Sequence, residues 1–148
     1  MTTAASLLRS GGHALVVVNR ERVRTFDGRG VSDLYALLTE EPDWLHGAEV
    51  ADKVVGKGAA ALMIRGGVRR LFAEVVSRGA LDLLETSDTE VEYATVVPHI
   101  ADRKGTGICP VERLCLDCTT AEACLPRIER FLREKREKQE GRPDQPNR

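Results

Sequence analysis

Four cysteines, Cys109, Cys115, Cys118 and Cys124, crowd into one C-terminal segment of a chain that is free of cysteine before residue 109. Cys109 follows the flexible Gly105-Thr106-Gly107 approach, Pro110 suits a first helical position, and Glu112 sits three residues on at capping-box spacing. That spacing predicts Cys109 at a helix N-cap. The helix dipole there favours the thiolate, the form that acts as nucleophile or metal ligand. The Glu112 carboxylate opposes this ionisation, and a small buried hydrophobe is the plainer role for such a side chain. Cys115 and Cys118 share a helix face, and Cys124 follows Thr119-Thr120, a second capping pair. The C-x5-C-x2-C-x5-C array admits zinc or an iron–sulfur cluster at Cys115, Cys118 and Cys124, yet it matches no common structural zinc signature. A disulfide such as Cys118 with Cys124, or separate reduced thiols between helices, fits the residues as well.

A second constellation lies in residues 49–64, whose pattern reads as one helix. At about 100° per residue, Asp52, Lys53, Gly56, Lys57 and Ala60 fall on one side, opposite Val50, Val54, Ala61 and Leu62. Residues 59–64 are apolar all round, as in a helix buried on every side. Lys53 and Lys57 are like charges at i,i+4, which costs roughly 0.2–0.5 kcal/mol unless an anion sits between them. Gly56 leaves room for a ligand to reach the backbone. Two solvated lysines and a packing glycine are the plain alternative. Gly28-Arg29-Gly30, between a strand and a helix start, is another candidate anion cradle, although a two-glycine turn accounts for it equally. Glu74 reads as an exposed edge residue, and Ser77 ends its strand where α/β sheets open their crevice.

These side chains need a frame, and the chain supplies punctuation for one. A helix over residues 2–9 is closed by Gly11-Gly12, and strands 14–19 and 22–26 form a hairpin. A helix around Leu34, Leu37 and Leu38 ends before Pro42, and the 49–64 helix is closed by Gly66-Gly67. Strand 69–76, helix 79–85, strand 90–97 and a helix from Cys109 complete the order. Strands alternating with helices predict an α/β fold: a three-layer α/β/α sandwich on a mixed four-stranded sheet. From Arg127 the chain is highly charged, and Glu129 with Arg133 and Glu134 with Lys138 stand at i,i+4. This reads as a domain over 1–126 followed by a solvated helix and frayed tail over 127–148.

The composition restricts the function classes. A length of 148 residues allows one domain, and 42% hydrophobic with 30% charged residues is a globular balance. A net charge of -1 supplies no global basic field, and three Phe, two Tyr and one Trp leave few rings for stacking, which argues against nucleic acid. The longest apolar stretches, 14–18 and 59–64, are too short to cross a bilayer, and no signal-peptide pattern opens the chain. A cytoplasmic protein without a membrane partner is expected, and self-association is left open.

The stretch from Gly47 through Glu49, Asp52 and Gly56 to Lys57, with its Ala-rich continuation, and Gly105-Thr106-Gly107-Ile108-Cys109-Pro110-Val111-Glu112 resemble a small prokaryotic family, domain of unknown function 1893. The likeness spans roughly Leu7 to Leu116 and includes Gly28-Arg29-Gly30. It implies a cytidine-deaminase-like fold with strand order 2-1-3-4. It also implies a pocket at the charged half of the Asp52 helix, lined by Asp52, Lys53 and Lys57, with Ser77 at a strand end and Cys109 arriving from the C-terminal loop. Zinc deaminases need a His or Cys two residues before a catalytic Glu, then Pro-Cys-x-x-Cys on the next helix. Val50 and Asp52 stand at what look like the first positions, and Cys115-Leu-Asp-Cys118 comes a strand too late. No catalytic zinc is therefore expected.

Two functions follow as expectations. In the first, the pocket binds a small anionic, nucleotide-like ligand: Arg29, Lys53, Gly56, Lys57 and Ser77 hold it, and Cys109 with Asp52 as proton partner provides metal-independent chemistry. In the second, the chain is a non-enzymatic sensor or interaction module whose working part is the C-terminal cysteine cluster.

Overall fold

The computed structural model describes residues 2–28 and 31–140. Helix α1 (Thr3–Gly11) is capped by the Thr2 hydroxyl, which accepts from Ala5 N at 3.2 Å, and ends at Gly12 in the left-handed region, φ 69°. Strands β1 (Leu15–Asn19) and β2 (Arg22–Phe26) form the expected hairpin, with Arg20 at φ 58° in its turn. Helix α2 (Ser32–Glu40) follows, then a short 3-10 turn at Pro42–Trp44.

The next segment departs from the sequence expectation. Residues 49–64 are not one helix: Glu49–Val55 is strand β3, and helix α3 (Lys57–Gly66) starts only after Gly56. Val50 and Val54 are four residues apart, an even spacing that suits one face of a strand as well as one face of a helix. Pairing decides between the two. β3 lies between β1 and β4, and Val50 and Ala51, facing opposite sides, are 1% and 0% exposed. Both edges of the strand are thus paired, Val50 and Ala51 bury both of its faces, and its β-branched valines fit that environment.

Strand β4 (Arg70–Ser77), helix α4 (Arg78–Glu85) and strand β5 (Glu90–Val97) complete the sheet. It has five strands in the order β2-β1-β3-β4-β5, not four. β1 is antiparallel to both β2 and β3, and β3, β4 and β5 run parallel. The anticipated strands keep their relative order, with β3 inserted at the centre. Helices cover both faces. Leu15, Val17, Val50 and Leu71 pack with α2, α3, α4 and α6 in the larger cluster, and Val16, Val18, Ala51 and Phe72 pack under α1.

Helix α5 (Pro110–Leu114) and helix α6 (Ala121–Glu140) close the described chain. α6 starts under the expected second cap, Thr120, whose hydroxyl accepts from Ala123 N at 3.1 Å. It runs unbroken through position 127, and Ile128, fully buried, packs in the main core. The helix that begins at Ala121 thus carries on past 126 to Glu140, with Ile128 in the main core. Among the described residues, the anticipated pairs Glu129–Arg133 and Glu134–Lys138 do not form; Arg130 pairs with Glu134 instead, at 3.3 Å. The tail 141–148 lies outside the described residues. Among them, no helix is long and apolar enough to cross a membrane.

Candidate functional site

The start of α3 is built from three distant pieces of chain. Gly56, its N-cap, has extended backbone and no side chain to satisfy the first helical N–H groups. Glu112 of α5 does so instead. Its Oε1 accepts from Lys57 N at 2.8 Å and its Oε2 from Ile100 N at 2.7 Å, with the residue only 3% exposed. A Cβ at Gly56 would lie 3.1 Å from Glu112 Oε1 and 3.2 Å from Ile100 Cγ1. The glycine therefore admits protein, where the sequence suggested room for a ligand. Lys57 Nζ donates to Leu116 O at 3.0 Å, so this cation holds the loop after α5.

Cys109 does occupy the N-cap position of α5, but its side chain makes no capping bond. It is half-buried, and its N–H donates to Ile100 O at 2.9 Å, which sets it beside the same junction. Glu112 does not complete a capping box with it, because both carboxylate oxygens are engaged elsewhere.

The strand conformation of residues 49–55 separates the rest of the expected set. Successive strand residues face opposite sides. Asp52 therefore shares the face of Val50, while Lys53 shares that of Ala51 and is exposed. Asp52 pairs in register with Leu15 and Ala73 in the neighbouring strands. Although part of its surface meets solvent, burial pushes its pKa up to about 7, against the pull of the Val54 and Lys53 N–H groups. Its carboxylate accepts from Val54 N at 3.3 Å and, among the described residues, meets no cation and no bond to Cys109. Ser77 is fully buried, and its hydroxyl accepts from Ala80 N at 3.1 Å as the N-cap of α4. Glu74 is half-buried and pairs with Arg9 at 2.6 Å. Arg29 lies outside the described residues. The structure thus gathers Gly56, Lys57 and Cys109 at one junction, with the start of α4 that Ser77 caps beside it, where a Cβ at Gly79 would lie 3.5 Å from Lys57 Cδ, while Asp52 and Lys53 face opposite sides of β3.

Cys115, Cys118 and Cys124 are all buried in the main core. Cys124 lies within hydrogen-bonding reach of the other two, and its donation holds the Cys115 thiol below the usual range. That same bond pushes Cys124 up, and burial pushes Cys118 up. Among the described residues, no group of three His, Cys, Asp or Glu side chains is arranged to hold a metal ion.

An open groove of about 510 Å³ lies elsewhere, between α2 and α6. Tyr35 and Leu132 contribute apolar surface, while Arg133, Lys135 and Arg136 bring positive charge and Glu40 and Glu129 negative charge. The Tyr35 hydroxyl donates to Glu129 Oε2 at 2.8 Å, and burial together with this bond raises the phenol's pKa. The charged pattern of α6 reads as a solvated helix, and nothing local to Tyr35 marks it as a partner of that helix. The available signal was Glu129, Arg133 and Arg136 at four- and three-residue spacing on one helical face.

The profile of one family, described as a domain of unknown function (DUF1893), matches residues 3–132. The chain belongs to the DUF1893 family. A crystal structure of a DUF1893 protein from Thermotoga maritima shares its fold, with a TM-score of 0.80 at 22% identity over 87% of each chain. No curated protein matches. The DUF1893 match takes in the buried thiols and most of the groove, including Tyr35 and Glu129, and stops one residue short of Arg133.

Proposed function

We propose that this chain binds a small anionic ligand, with nucleotide-like anions the first class to test, in the groove between α2 and α6. One observation carries the reading. Arg133, Lys135 and Arg136 line a single concavity, and none of them has an ion-pair partner among the described residues. Of the two carboxylates in the groove, Glu129 is held by the Tyr35 hydroxyl. Guanidinium forks match the geometry of phosphate oxygens, and the groove's volume falls in the range of about 300–1,000 Å³ common for small-ligand sites. The pocket expected around Lys53, Lys57 and Ser77 supports the reading less well, because Lys57 Nζ is held by Leu116 O and the buried Ser77 hydroxyl is engaged as the cap of α4.

The frame in this proposal is cytidine-deaminase-like, supported by the helix–strand order and by the sheet order β2-β1-β3-β4-β5. Val50 and Asp52 lie on a strand, so they cannot stand for a zinc-binding helix start. The helices themselves begin Ser32-Asp33-Leu34 and Lys57-Gly58-Ala59, without His/Cys-x-Glu or Pro-Cys-x-x-Cys, which supports a function other than zinc-dependent deamination. The unpaired thiols fit a reducing, cytoplasmic setting.

Calorimetric titration with pyrophosphate and with AMP at low salt tests the binding. Saturable binding that is lost in the Arg133→Ala/Arg136→Ala variant is expected. No binding, or equal binding by the variant, overturns the reading. A second reading, acid–base chemistry at the middle of β3, is favoured by Asp52, whose carboxyl is pushed up to about 7 by burial and, among the described residues, has no ion-pair partner.

A further inference from the structure

We propose that two copies of this chain pair edge to edge along β5, antiparallel about a two-fold axis at Ala94, so that their sheets become one. The two edges of the sheet are built differently. β2 is five residues long and carries Arg22, stacked over the Trp44 ring at 4.1 Å, and Arg24, paired with Glu41 at 2.9 Å. A short strand bearing charged side chains is how an edge is kept from pairing. β5 is eight residues long, and its second part, Tyr93-Ala94-Thr95-Val96-Val97, holds no charge and no proline. Its register against β4 is constant, without a bulge to twist the edge away. Residues 92–95 are exposed, Tyr93 to 45%, and among the described residues no strand pairs with the outer side of β5.

The backbone decides which groups that edge offers. Glu90 N donates to Arg69 O at 2.9 Å, so Glu90, and by alternation Glu92, Ala94 and Val96, turn their N–H and C=O groups toward β4. Val91, Tyr93, Thr95 and Val97 therefore present theirs outward. An antiparallel ladder forms where outward residues stand opposite one another. The two-fold at Ala94 sets Val91 against Val97 and Tyr93 against Thr95 of the second copy. Every outward residue of β5 then meets another, with about eight N–H···O bonds in all. Aromatic with β-branched and valine with valine are favourable cross-strand pairs, and the small Ala94 sits at the axis.

Charge and closure select a second copy as the occupant. In this register Glu92 lies opposite Val96 of the second copy, and Glu90 opposite its Pro98, next to the exposed His99. No carboxylate faces another, and a histidine borders the most acidic end of the strand. A parallel copy in register would set Glu90 on Glu90 and Glu92 on Glu92, a destabilising arrangement. The two-fold uses one edge of each chain, so assembly stops at the dimer and leaves the arginine-bearing β2 at both outer edges.

Sedimentation velocity of the full chain over a range of concentrations provides the first test. A dimer is expected for the wild type and a monomer for Ala94→Lys, which opposes two ammonium groups at the axis. Ala94 is exposed in the single chain, so the variant keeps its core, and an unchanged far-ultraviolet spectrum checks this. Mild oxidation of Ala94→Cys provides the second test. Facing Cα atoms of a non-hydrogen-bonded pair stand about 4.5 Å apart, within disulfide reach, so peptide maps should join residue 94 of one copy to residue 94 of the other. Val23→Cys, exposed on the β2 edge, should stay unlinked. A monomeric wild type, an assembly larger than a dimer, a dimer that survives Ala94→Lys, a missing link at residue 94, or equal linking through residue 23 overturns the proposal.

Discussion

Glu112 Oε1 accepts a hydrogen bond from Lys57 N at 2.8 Å, joining residues 55 positions apart, while Oε2 accepts from Ile100 N at 2.7 Å. One buried carboxylate thereby ties the start of α3 to α5 and to the chain that returns from β5. Replacing it with alanine strands two backbone donors away from water. Glu112→Ala is expected to lose roughly 2–4 kcal/mol of stability in urea titration, and Glu112→Gln, which keeps one acceptor, markedly less. Equal losses in both variants would show that packing volume, not hydrogen bonding, is what Glu112 provides.

The two glycines at the start of α3 should differ in sensitivity. A Cβ at Gly56 meets Glu112 Oε1 at 3.1 Å, a contact that a small shift relieves, whereas a Cβ at Gly58 runs into Val111 Cγ1. Gly56→Ala is expected to cost about 1 kcal/mol or less and Gly58→Ala about 1–3 kcal/mol, both from denaturant midpoints. A neutral Gly58→Ala would mean that α5 is not seated against α3 as described.

Asp52 makes stability depend on pH in a definite direction. Its pKa is about 7 in the folded chain against 3.8 for an ordinary aspartate, so between these values the folded state holds a proton that the unfolded state has lost. The stability that Asp52 contributes is fully present below about pH 4 and is lost as pH rises through 7. Asp52→Asn removes that dependence and should be the more stable form at pH 8, by on the order of 1–3 kcal/mol after allowing for its partial exposure. Melting curves of both proteins at pH 5 and pH 8 provide the comparison. Parallel shifts in the two proteins would show that Asp52 is not the titrating group.

Tyr35 and Glu129 test the groove without touching its cations. Tyr35→Phe removes the 2.8 Å bond to Glu129 and should cost about 0.5–1.5 kcal/mol of stability. It also frees Glu129 to face Arg133, one helical turn away. Pyrophosphate affinity is therefore expected to fall several-fold and to become less sensitive to salt, read by titration at two ionic strengths. Unchanged affinity would place the anion away from this wall of the groove.

The local punctuation was legible in the residues. Gly12 and Gly67 end α1 and α3 at φ 69° and 79°, Pro110 opens α5, and Thr120 caps α6, because each effect acts within one turn of the backbone. The hairpin, β4, α4 and β5 were legible for the same reason. The site was not. Asp52 and Lys53 share a face only on a helix, and a strand turns neighbouring side chains to opposite faces.

By itself, then, the sequence determined an α/β chain free of any long apolar span, with most of its helices and strands and several of their caps. The tertiary structure alone decided that residues 49–55 are the central strand, since the four-residue spacing of Val50 and Val54 suits either conformation and only pairing with both β1 and β4 separates them. It alone chose the partners of Glu112, Tyr35 and Cys124 as well. Those contacts join elements brought together by the burial of two sheet faces, and no local pattern encodes which distant group a buried polar atom will meet.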